Sequence, residues 1–264
     1  MSIIRDDAEV QALVITKGHP FERDGFFGML ESLPGIATTQ VEQPAAQVFF
    51  TPEMARPWDA YVLYDMPGIE FGPGGLRFRD PPKDYVDGFL ALLEAGHGFV
   101  FLHHAIAGWP SWPEYAEIIG GRFLYEPTQL RGRLLPDSGY RFEVRHRVRP
   151  VVEHPVLEGL EDGFEIEDEL YLFCPFEDDL TPLLRSDYEF VDSKFYSAAR
   201  AVQGEMFSRE GWSHPAGSNL IAWTHRYRSS PIVYIACGDG PSAYQNPALQ
   251  RLIGNAIRWV ARKQ

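Results

Sequence analysis

GHGFVFLHHAIAGW (residues 96–109) runs an unbroken apolar segment, Gly98 to Leu102, into two histidines, His103 and His104. An apolar run of this length, bounded by turn-forming residues, reads as a strand buried on both faces. A polar pair at its carboxyl end has two readings. The imidazoles are satisfied histidines of the core or rim, or the strand delivers chemistry to a cleft.

The flanking sequence decides what kind of sheet holds this strand. Upstream, KDYVDGFLALLEAG (83–96) is an amphipathic helix ending in Gly96, a favoured C-terminal stop. Before it, QALVITKG (11–18), IATTQVEQ (36–43) and DAYVLYDMPG (59–68) read as strands, with a helix over FERDGFFGMLESL (21–33) between the first two. Residues 67–82 are rich in Gly and Pro and read as a long binding or lid loop. At the other end, PIVYIACGDG (231–240) reads as a buried strand and NPALQRLIGNAIRWVARK (246–263) as an amphipathic helix with Asn246 as N-cap and Pro247 at its first position. Strands alternating with helices predict an α/β fold with a mainly parallel central sheet covered on both faces.

The middle of the chain differs. YRFEVRHRV (140–148) alternates, with Tyr140, Phe142, Val144, His146 and Val148 on one face and four charged residues on the other, which predicts a half-exposed strand. Segments 161–173, 188–191 and 218–227 continue a strand-rich excursion around 121–227. With no linker or repeat in sight, residues 1–264 are expected to form a single domain.

The 264 residues carry a formal charge of −13, with 45% hydrophobic and 23% charged residues. That acidity argues against nucleic acid as a partner, because phosphate binding draws on clustered Lys and Arg. The arginines at 141, 145, 147 and 149 are read as an exposed polar face, with an oligomer contact as the alternative. No apolar run reaches the ~18–20 residues of a membrane span. The N-terminus turns acidic at once and does not resemble a signal peptide. Two cysteines, Cys174 and Cys237, exclude a disulfide framework. A cytoplasmic protein without a membrane partner is expected.

Candidate site residues follow from the ends of the buried strands, where open α/β sheets bind ligands. These ends carry Gly18-His19, Asp65-Met66, His103-His104 and Cys237-Gly238-Asp239. His19 is either a turn histidine capping the first helix or part of the site. Strand alternation sends one imidazole of the pair into the cleft and the other into the structure, and His104 is taken as the functional one. EDELY (167–171) is either a solvated acidic edge or a source of Glu169 and Tyr171, which alternation places on one face with Asp168 on the other. Imidazoles and carboxylates suit Zn, Mn or Fe, but no HExxH or His-x-His spacing is present. No metal is assigned, and a divalent transition metal stays open as a cofactor. Neither GxSxG nor a phosphate-binding glycine loop occurs.

Several blocks in order resemble one family, the ThuA-like (trehalose utilisation) proteins. They are ALVITKGHPF, GHGFVFLHHA, HPVLEGL (154–160) with FEIEDELYLF, and AWTHRYRSSPIVYIACGDG followed by YQNPALQRLIGNAIRWVA. The resemblance spans nearly the whole chain. It implies a class I glutamine amidotransferase-like fold, a flavodoxin-like three-layer sandwich. In the amidotransferases a cysteine stands at the strand-to-helix elbow. Here that elbow reads FLHHAIAG, so thiolate hydrolysis of glutamine is not expected. The family's C-terminal turn usually carries a glycine–histidine pair, whereas here Asp239 stands in the histidine position.

The expected function is that of a carbohydrate-metabolism enzyme acting on a sugar or keto-sugar by proton transfer, as an isomerase, lyase or hydrolase. The link to trehalose-type disaccharides comes from the resemblance. His104 would be the acid or base, with His19 and Glu169 sharing or positioning the proton. His103, Tyr171 and Asp239 would contact the substrate, and Trp109, Trp112 and Tyr244 would offer stacking faces. The alternative is a non-catalytic sugar-binding or sensing protein on a degenerate amidotransferase scaffold. The expected partner is a small-molecule sugar, with a homo-oligomer left open.

Overall fold

The computed structural model describes residues 7–72 and 75–261. The first six residues of the acidic N-terminus, residues 73–74 of the expected loop and residues 262–263 of the expected closing helix lie outside the described residues.

The chain runs through β1 (Val10–Lys17), α1 (Arg23–Glu31), β2 (Ile36–Glu42), β3 (Ala60–Asp65), a hairpin of β4 (Ile69–Gly72) and β5 (Gly75–Phe78), α2 (Lys83–Ala95), β6 (Gly98–Leu102) and α3 (Pro113–Ile119). The hairpin β7 (Thr128–Leu130) and β8 (Arg133–Leu135) opens the excursion. It continues with β9 (Gly139–Pro150), β10 (Phe164–Leu172), β11 (Thr181–Ser186), β12 (Tyr196–Ser197), α4 (Ala198–Val202) and β13 (Leu220–Tyr227). The chain returns through β14 (Ser230–Ile235), α5 (Pro241–Tyr244) and α6 (Pro247–Ala261).

One sheet runs in the order β10-β9-β11-β13-β14-β6-β3-β1-β2, with β12 beside β9. Its half β2-β1-β3-β6-β14 is parallel throughout. That is the 2-1-3-4-5 order of flavodoxin-like sheets, whose ligand crevice opens at the carboxyl ends beside β1 and β3. Residues of β6 alternate between two helical layers. Phe99 stacks on Phe89 of α2 at 4.9 Å, and Phe101 meets Tyr115 of α3 at 5.9 Å. On the other face Gly98 lies against Val260 of α6. Two expected helix boundaries, one stop and one start, fall as the sequence reads. Gly96 ends α2 at φ +84°, and Asn246 Oδ1 accepts the N–H groups of Ala248 (2.9 Å) and Leu249 (3.3 Å).

Three local expectations change. The Gly/Pro loop 67–82 contains the hairpin β4–β5, whose pairing is too short to leave a periodic pattern. Residues 188–191 are irregular, and the strand of that region is Thr181–Ser186. The alternation of 140–148 breaks inside β9. Glu143 sits at φ +55°, Phe142 is exposed, and the β9–β10 register shifts between Asp168 and Leu170. A bulge of this kind bends a strand and re-aims its side chains. Among the described residues no helix is long and apolar enough to cross a membrane.

The antiparallel half coils. β10 is five places from β6 in the sheet order, which in a flat sheet would be roughly 24 Å at about 4.8 Å per strand. Instead Glu169 of β10 lies 3.1 Å from His103 at the end of β6. The outer strands therefore wrap back over the carboxyl ends of the parallel strands and wall the crevice.

Candidate functional site

β6 ends in a tight turn rather than a continued strand. His103 takes φ +44°, a conformation rare for a residue with a side chain and costly unless its surroundings hold it. Here they do. Its Nδ1 lies 2.7 Å from the carbonyl oxygen of Ala236 after β14, and the Tyr234 hydroxyl donates to its own carbonyl at 2.9 Å. A carbonyl can only accept, so Nδ1 carries a proton and Nε2 is the ring atom left to exchange one.

Three oxygens converge on that Nε2: the Tyr171 hydroxyl at 2.8 Å, Glu169 Oε2 at 3.1 Å and Asp239 Oδ1 at 3.4 Å. The Tyr171 ring also stacks on the imidazole at 4.6 Å. Asp168 fixes the turn that presents Asp239, because its carboxylate accepts the N–H groups of Gly238 (2.6 Å) and Asp239 (3.0 Å). It also accepts the N–H of Glu169 at 2.9 Å. Tyr244 supports the turn from below, with its hydroxyl on Asp239 O at 2.9 Å and on the Tyr64 hydroxyl at 2.8 Å.

The environment sets the protonation. For His103, burial works against the imidazolium, yet bonds and charges from Asp239 and Glu169 outweigh it and hold the group well above its ordinary value. Glu169 is raised, because burial exceeds what His103 gives back. Asp239 is lowered, since burial is overcome by the His103 bond and charge. Burial pushes Asp168 up to about 6. Neighbouring acids are thus driven in opposite directions, the pattern of donor and acceptor pairs.

His19 and His104 form a second layer. Their rings stack at 4.5 Å, and His104 also packs on Tyr64 at 4.2 Å. His104 Nε2 lies 3.1 Å from the Tyr64 carbonyl oxygen, its Nδ1 has no partner, and burial with the charges of His19 and His103 holds it well below its ordinary value. His19 is lowered by burial and by His103. The structure therefore brings His103, Glu169, Tyr171 and Asp239 to one point and leaves His104 behind them. One ring faces the acids and the other lies behind, as alternation predicts, but the ring that faces them is His103 rather than His104, because the strand ends at Leu102 and His103 takes the left-handed turn.

The stacking faces expected from Trp109 and Tyr244 are not open. Both side chains are buried, Trp109 against Tyr85 and Gly68 and Tyr244 against Phe26 and Tyr64. Trp112 packs on Phe89 and Tyr115. Cys237 is buried and its thiol pushed well above its ordinary value by burial.

Above the polar centre opens a cleft of about 470 Å³, within the ~300–1,000 Å³ usual for small-molecule sites. Its floor is Asp168, Glu169 and Asp239, and one wall is Gly240–Ser242. The opposite wall, Arg141, Phe142, Glu143, Tyr196 and Phe207, was not foreseen, because a bulge and a distant loop build it. His103, Glu169 and Asp239 also offer ligand atoms all within 4.8 Å of one another, a donor set suited to a divalent cation.

Comparison with known proteins accords with this architecture. No curated protein matches the sequence. A ThuA-like protein from Parabacteroides merdae superposes with a TM-score of 0.66 at 17% identity, over 96% of this chain and 90% of its own. The cytoplasmic protein STM3548 from Salmonella typhimurium gives 0.58 at 12% identity, over 96% and 99%. PurLQS from Thermotoga maritima gives 0.54 at 9% identity, over 95% and 98%. At these identities the likeness establishes the fold, which is glutamine amidotransferase-like. Residues 80–260, which span His103, Glu169, Tyr171 and Asp239, match the family model described as ThuA, trehalose utilisation, and the chain belongs to that family.

Proposed function

We propose that this protein is a carbohydrate-active enzyme that moves a proton on a sugar or keto-sugar bound in the cleft. The observation that carries the reading is the convergence of Glu169, Asp239 and Tyr171 on His103 Nε2 just beneath a cleft whose floor Glu169 and Asp239 form. The family's description supplies the carbohydrate. Asp239, with 28% of its side chain exposed, is the most open of the three ionisable groups and takes the proton from the substrate. Glu169 returns a proton to the other side of the reacting bond, and His103 relays between the two acids through Nε2. Asp168 is a positioning residue that fixes the 238–239 turn. His104 and His19 form the packed layer beneath. The cytoplasmic setting named for the Salmonella neighbour fits the two free cysteines.

The test is incubation in deuterium oxide with glucose, trehalose and a panel of their keto derivatives, followed by NMR. Deuterium entering a carbon-bound position, or a new product, is expected from the native protein, with Glu169→Gln slower by about 10²-fold or more. Saturable sugar binding with neither exchange nor product would overturn the enzymatic reading in favour of a sugar-binding or sensing role.

A further inference from the structure

The wall of the cleft opposite Gly240–Ser242 takes no part in the proton transfer, yet it is built at some cost. The β9 bulge turns Phe142 outward, 37% exposed, between the buried Tyr140 and Val144. Phe207 faces it, 58% exposed, with the two rings 6.2 Å apart and near perpendicular. Glu143 and Phe207 both adopt left-handed backbone, at φ +55° and +61°. Such conformations persist only where neighbours hold them. Phe207 is held by its N–H donating to the Tyr140 hydroxyl at 2.9 Å. Two strained positions on one wall thus present two phenyl rings to water, the reverse of what burial alone favours.

Fixed polar groups stand beside the rings. Arg141 Nη1 donates to the Tyr196 hydroxyl at 2.6 Å, and Glu143 lines the same wall. Aromatic faces bordered by fixed donors and acceptors suit a pyranose, whose C–H face packs on a ring while its rim of hydroxyls hydrogen-bonds. The wall is continuous with the floor that holds Glu169 and Asp239.

We propose that Phe142 and Phe207 form a second sugar subsite, which holds the non-reacting ring of a two-ring glycoside whose other ring lies over Glu169 and Asp239. This rests on reading the cleft as a sugar site. The family's description already points to a disaccharide, trehalose; what the wall adds is the pair of side chains that holds its second ring.

The experiment is calorimetric titration of the full chain with trehalose, maltose and glucose. It compares the native protein, the double variant Phe142→Ala/Phe207→Ala, and Phe207→Gly, which accepts the left-handed backbone without strain. The native protein is expected to bind at least one disaccharide more tightly than glucose. Both variants should weaken that disaccharide, the double variant by about tenfold, and leave glucose unchanged. Equal binding of glucose and disaccharides, equal weakening of both, or no binding of any of these sugars by the native protein would overturn the subsite. Light scattering completes the test. A dimer that dissociates in the double variant while sugar affinity stays unchanged would assign the phenyl pair to self-association instead. Disaccharide binding through the pair without turnover of any sugar leaves the subsite standing and removes the enzymatic reading. Turnover without disaccharide preference does the opposite.

Discussion

His103 and Asp239 meet at 3.4 Å although they stand at the ends of different strands, and the same imidazole nitrogen also faces Glu169 at 3.1 Å. One cationic ring therefore serves two acids. Asp239→Asn removes one of the two charges that raise His103. An NMR titration of the histidine ring protons should show His103 titrating at lower pH in the variant, with turnover down about 10²-fold. An unchanged His103 titration would reject the arrangement.

Asp65, at the end of β3, is fully buried with Gln43 Nε2 at 2.8 Å, and burial pushes its carboxyl up to about 7 from 3.8. In the unfolded chain the group ionises at its ordinary value. Between about pH 4 and 7 the folded state thus binds more protons, and stability falls as pH rises through that window. At ~1.4 kcal/mol per pH unit the loss is on the order of 4 kcal/mol. Asp65→Asn should therefore raise the melting temperature at pH 8 relative to the native protein and do less at pH 4. A pH-independent difference between the two would contradict a buried neutral acid.

Gly98 opens β6 directly beneath α6, where a Cβ would fall 2.2 Å from the Val260 carbonyl oxygen. Gly98→Ala must displace the helix backbone, and a destabilisation of about 3 kcal/mol is expected from overpacking of this kind. Urea denaturation measures it. A change under about 0.5 kcal/mol, the level of a neutral surface substitution, would mean that α6 is not seated there.

The proposed proton transfer is carried by side chains alone. Turnover should accordingly survive exhaustive treatment with a chelator, and elemental analysis should find metal well below one equivalent per chain. Activity lost on chelation and restored by Zn²⁺ or Mn²⁺ would instead assign His103, Glu169 and Asp239 as a ligand set.

Much of the fold was legible because unbroken apolar runs, a glycine stop and an asparagine cap are local signals, and β1, β3, β6, α2 and α6 fall where those signals place them. Glu169 and Tyr171 were legible as a same-face pair beside a strand. His103 was not separable from His104, because the turn that distinguishes them is a backbone conformation imposed by contacts to Ala236 and Tyr234. Phe142 and Phe207 were hidden for a related reason. The bulge that turns one out and the tyrosine that pins the other join residues some 65 positions apart.

The coiling of the sheet has a consequence for assembly. The imidazole comes from the parallel half, the glutamate from a strand laid down much later in the chain, and Asp239 from the turn after the final strand. Any intermediate in which only the parallel half has formed lacks Glu169, the Asp168 carboxylate that fixes the Asp239 turn, and the wall of the crevice. Assembly of the polar centre and completion of the last non-local pairing are then a single event, so the proposed site does not exist until the outer strands have closed over it.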